Sequence, residues 1–139
     1  MVIKKQAKKI HHISSHFTNG LFPTAALCIT LFLITGDILF ENAAICCIAV
    51  GAIAAPVVYG CGLADWWVRF EKRRAKIFNR KRYVGAILVV FAIFLISIRL
   101  YVGDEIATVG IAKYLYAGGI YIITGIVSYL GYLGGKFVA

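Results

Sequence analysis

Acidic side chains are scarce in this chain: six Asp and Glu stand against 15 Lys and Arg, for a formal net charge of +9 at pH 7. Charge of either sign is thin too, at 15% of 139 residues, while 61% of the sequence is apolar and mean hydropathy is +0.85. A water-soluble domain of this length exposes too much of its area to hide that load, so lipid must serve as part of the solvent. A basic excess could mark a nucleic-acid binder, but that needs a basic face on a folded domain. Here the cations are confined to the few polar stretches between apolar runs. The expected partner is therefore a bilayer with anionic lipids, and no nucleic acid. The four cysteines (Cys28, Cys46, Cys47 and Cys61) show no CxxC, zinc-knuckle or CxxCH spacing and lie inside apolar runs, where a thiol behaves as a small hydrophobe. No P-loop, GxSxG or HExxH occurs, so no enzyme is expected.

What the chain does have is four apolar stretches, at about 17–40, 42–64, 83–101 and 114–135. Each is long enough to cross a hydrocarbon core of about 30 Å as a helix, the one spanning form in which a single segment pairs its own backbone. The first exceeds the usual signal-peptide core and no A-x-A pattern follows it, so it is read as retained. The expected fold is all-α: a single membrane domain over 1–139, an integral four-helix bundle with a basic loop at 69–82. Lys4, Lys5, Lys8 and Lys9 precede the first run, Arg73, Arg74, Arg80, Lys81 and Arg82 fall in that loop, and Lys136 follows the last run. Of all the basic residues, only Arg99 and Lys113 lie on the other side. The positive-inside rule then puts the N and C termini and the middle loop in the cytoplasm, in the inner membrane, and Lys4, Lys5, Lys8, Lys9, Arg73, Arg74, Arg80, Lys81 and Arg82 are expected on lipid head groups.

Helices in lipid associate where small side chains let backbones approach. Ala43, Cys47, Gly51 and Ala55 are spaced to line one face of the second helix. Ala117, Tyr121, Thr124, Ser128, Gly131 and Gly135 do so on the fourth, and both stripes are expected to face neighbouring helices. Pro23 falls in the first turns expected for helix one, where a missing N–H matters little, and Pro56 is expected to kink helix two. No Asp, Glu, Lys, Arg or His sits near the centre of any run, which argues against a proton-coupled transporter or pump. Arg99, one turn from the outer end of helix three, is expected to snorkel toward Asp104 or Glu105.

The stretch "HHISSHFTNGLFP" (11–23) carries all three histidines, and "GLADWW" ends the second run with Asp65. If both helices cross as drawn, His16 and Asp65 arrive at the same depth, where the carboxylate would hold one imidazole tautomer. His12 and His16, four apart, share a helix face, a spacing that suits a small divalent metal better than the two axial positions of one haem. His12, His16 and Asp65 are thus the candidate cofactor-binding set, and His12 and His16 the candidate metal ligands. Against this stands the plainer alternative of solvated interface histidines and an Asp65 paired with the basic loop.

Three short motifs, "HISSHFTNGLFP", "GLADWW" and "GYLGGKFV", resemble those of domain-of-unknown-function family 2231, uncharacterised bacterial four-helix membrane proteins. The resemblance spans nearly the whole chain. It singles out His12, His16, Asp65, Trp66, Gly131, Gly134 and Gly135. Thr18 stands where the family motif has proline, and the loop before helix three lacks a histidine. The function expected is a non-catalytic accessory or scaffold subunit with a cytoplasmic-side polar site, working as a homo-oligomer or with other membrane subunits. The alternatives are a haem b-, quinone- or metal-binding subunit in electron transfer, and a transporter or channel.

Overall fold

Two residues, Gly36 and Asp37, separate the first two helices, and their chemistry makes the break. Gly36 takes φ +73°, a conformation that side chains disfavour, and its N–H bonds to the Phe32 carbonyl (2.8 Å), closing the first helix. Asp37 opens the second: its Oδ1 accepts from the N–H of Leu39 at 3.0 Å, an N-cap bond. In the computed structural model, which describes residues 2–69, 76–108 and 110–136, these helices are α1 (Val2–Thr35) and α2 (Ile38–Arg69). They are followed by α3 (Lys76–Val102), a short 3₁₀ segment (Gly103–Ala107) and α4 (Gly110–Gly135). Four of these helices are long and apolar enough to cross a membrane, and no strand occurs among the described residues.

The order is up-down-up-down. α1 packs on α2 and α4, and α3 closes the ring against the same two helices. Phe22, Ile29, Phe32, Ile48, Leu95 and Ile120 fill the centre. Ile106 of the 3₁₀ segment plugs one end, fully buried. A third or less of each span is buried inside the chain. The remainder is an apolar coat, with Tyr101 93% exposed, which only lipid or another apolar surface can satisfy.

Helix ends differ from the apolar runs that mark them. α1 begins at Val2 rather than about 17 and ends at Thr35 rather than 40, and α2 reaches Arg69. The leader of Lys, Gln, Ala, Ile and His contains no helix breaker before Gly20, so the helix continues past the lipid-matched length. Pro23 consequently lies deep inside α1 and not in its first turns, and Pro56 lies inside α2.

The equal-armed hairpin fixes the register. Phe22 and Gly51 are each fourteen residues from the turn, and a Cβ added at Gly51 would sit 2.8 Å from Phe22 Cζ. His11 and Gly62 are each twenty-five from it, and His11 Cε1 lies 3.5 Å from the corresponding point. Close approaches of the same kind occur where Tyr59 covers Gly85 and Leu95 covers Gly119. Gly51 and Ala55 are buried, whereas Ser128, Gly131 and Gly135 are exposed within the single chain. Thr124 is half-buried and donates to the carbonyl of Phe22 at 3.1 Å and to that of Ile120 at 2.9 Å, while Tyr121 and Thr30 join through their hydroxyls. The expected stripe on α4 therefore meets α1 in its upper half and turns outward in its lower half, where Gly131 only grazes Asn19 (3.9 Å).

Candidate functional site

The bundle has a polar cluster at each end. At the end where α2 begins, Glu41 is wholly buried in the first turn of that helix, and it meets Arg99 from the last turn of α3. Arg99 donates through Nε to Oε1 (2.6 Å) and through Nη2 to Oε2 (2.9 Å), a bidentate fork. Asp104, whose side chain is 97% exposed, takes a longer contact from Nη2 at 3.4 Å. Arg99 is thus not a residue that snorkels to solvent: it is 7% exposed, its main partner is Glu41, and Asp104 is secondary. Tyr116, 2% exposed near the start of α4, lies within electrostatic reach of both charges, and its hydroxyl has no hydrogen-bond partner among the described residues. Among sequence signals, an arginine inside an apolar run demands a carboxylate at the same depth. Glu41 fell in the turn between the first two apolar runs, at that same end, whereas Asp104 and Glu105 were closer to Arg99 in sequence.

The opposite, basic end gathers residues from all four helices. His11 of α1 is half-buried against Gly62 of α2, reaches the Val58 backbone and lies within electrostatic reach of Asp65 and Lys81, while its Nδ1 is buried without a partner among the described residues. Lys81 of α3 extends to α4, with Nζ 3.8 Å from where a Gly134 Cβ would stand. Arg82 lies over Trp66 (5.3 Å) and Tyr83 (5.4 Å), joining α2 to α3 through cation–π contact.

The hairpin register decides which histidine meets Asp65. His16 is twenty residues before Gly36, so it is level with Val57. Asp65 lies eight residues beyond that, about 12 Å farther along the axis at 1.5 Å per residue. The expected His16–Asp65 neighbourhood is therefore replaced by His11–Asp65, and His12 and His16 are exposed. His12 lines a shallow cleft of about 390 Å³ with Lys5, Lys9 and Ile13, all on α1. No group of three His, Cys, Asp or Glu suited to a metal ion occurs among the described residues. A metal on His12 and His16 would need its further ligands from outside the described residues.

Of the head-group cations expected from sequence, Lys5, Lys9 and Arg80 are exposed and Lys81 and Arg82 half-buried at this end. Lys4 and Lys8 lie on α1, and Arg73 and Arg74 fall outside the described residues. A second cleft, of about 200 Å³, opens here between α3 and α4, lined by Lys76, Ile77, Arg80, Leu133 and Lys136.

Among known proteins, a family model described as "Predicted membrane protein (DUF2231)" matches residues 7–139, from the lysine leader to the last residue. No curated protein and no solved structure matches the chain.

Proposed function

The chain belongs to the DUF2231 family of membrane proteins, and from that premise we propose that it is a non-catalytic accessory or scaffold subunit of the cytoplasmic membrane. In this reading both termini and the basic end face the cytoplasm, and the outer face of the bundle meets a second copy or another membrane subunit. The observation that carries it is where the buried charge goes. Glu41 and Arg99 are joined to each other in a fork that ties α2 to α3, so these intramembrane charges act on helix packing rather than on a passing ion. Two further features support it: the centre is filled by apolar side chains, and small residues are exposed on α4 at Ser128, Gly131 and Gly135, where another helix can come close.

The test is photocrosslinking in native membranes, with a photoreactive residue placed in turn at 128, 131 and 135. Covalent dimers or adducts to other membrane proteins are expected at one or more of these positions. Uncrosslinked monomer at all three, from a chain expressed at its natural level, would overturn the reading.

A further inference from the structure

We infer that the cleft between the basic ends of α3 and α4 is a binding site for the phosphate of an anionic phospholipid. Two independent helices build it. Lys76 and Arg80 stand four residues apart on one face of α3, and Lys136 closes the far wall just beyond α4. Ile77 and Leu133 complete the lining, the latter buried, and none of the lining residues is acidic. The cleft therefore presents three cations over an apolar floor. Arg80 offers the planar fork that matches two phosphate oxygens, and the lysines add point charge. Lys136 is held in place by its ammonium, 4.7 Å from the centre of the Tyr132 ring.

The size and setting of the cleft choose a lipid over a larger solute. About 200 Å³ is below the usual range for a whole small-molecule ligand, yet it admits a phosphate with part of its head group. The acyl chains then lie outside it, along the apolar coat that the spans already present to the bilayer. The larger cleft on α1 is a weaker candidate, because Lys5, Lys9, His12 and Ile13 all belong to one helix and no second wall fixes a ligand. The site stands whether or not the chain serves as a scaffold, since it is complete within one copy.

The experiment compares three proteins in phosphatidylcholine nanodiscs containing phosphatidylglycerol, with lipid retained after detergent extraction counted by native mass spectrometry. They are the parent, Lys76→Gln/Arg80→Gln/Lys136→Gln, and the charge-matched control Lys5→Gln/Lys8→Gln/Lys9→Gln. Basic residues near an anionic surface each contribute about fivefold in affinity. Three cations fixed around one phosphate set the expected fall in retained phosphatidylglycerol at about tenfold or more in the cleft variant. The leader lysines attract the surface only diffusely, an attraction that detergent extraction removes, so the control is expected to fall less than about twofold. Equal losses in both would reduce the effect to diffuse attraction and sink the proposal. Retention of phosphatidylcholine as well as phosphatidylglycerol by the parent, or full displacement of the lipid by millimolar inorganic phosphate, would do the same. Should the triple variant fail to fold, a photoactivatable phosphatidylglycerol on the parent decides the matter. Its adducts are expected on peptides holding Ile77 or Leu133, and adducts confined to other segments would refute the site.

Discussion

Glu41 and Arg99 stabilise the bundle only as a pair. A buried carboxylate and guanidinium lose their hydration, and their mutual fork offsets that cost. Removing one partner strands the other in a low-dielectric interior. Glu41→Gln is therefore expected to lower unfolding stability in detergent by about 3–5 kcal/mol, since Asp104 at 3.4 Å is too exposed to substitute. Glu41→Leu/Arg99→Met should recover most of that loss, because well-packed apolar side chains of similar volume need no partner. Strictly additive losses in the double variant would mean that the two charges do not act together. Tyr116 is the reverse case: its hydroxyl is buried beside the pair and makes no bond among the described residues, so its ring rather than its oxygen contributes to packing.

Helix pairing depends on a few places where a side chain would collide with its neighbour. Gly51→Val is expected to destabilise the protein by about 1–3 kcal/mol, by pushing the Phe22 ring out of the core. Gly60→Ala, where a Cβ meets nothing within 4 Å, should be neutral or stabilising by up to about 1 kcal/mol. Thermal unfolding of the two variants side by side checks the contrast, and similar behaviour would deny Gly51 its role. That four helices exist was legible in the apolar runs, because hydrocarbon thickness sets the length of such a run. Their ends were not, because caps and breakers set those. Gly36 and Asp37 were visible as a stop and a cap, yet the run through "GDILF" hid them. With that turn misplaced, the hairpin register was lost, and with it the identity of the histidine beside Asp65. The Glu41–Arg99 contact was illegible for another reason: it joins residues 58 apart in sequence, and the nearer acids in the chain offered themselves first.

For the molecule as a whole, the unequal distribution of charge between its two ends predicts its direction in the bilayer. A fluorescent protein fused after residue 139 should fluoresce, and a phosphatase fused at the same point should be inactive, if the basic end is cytoplasmic. Active phosphatase there would reverse the orientation. Whichever way it faces, the 34 residues of α1 make a rod about 51 Å long at 1.5 Å per residue. Even a steep lean of about 40° leaves some 39 Å along the bilayer normal, against an oily layer of about 30 Å. The surplus must project as a stiff overhang, braced by α2, which at 32 residues is overlong too. Anything that grips it is held at a set height above the head groups, as though by a built-in ruler.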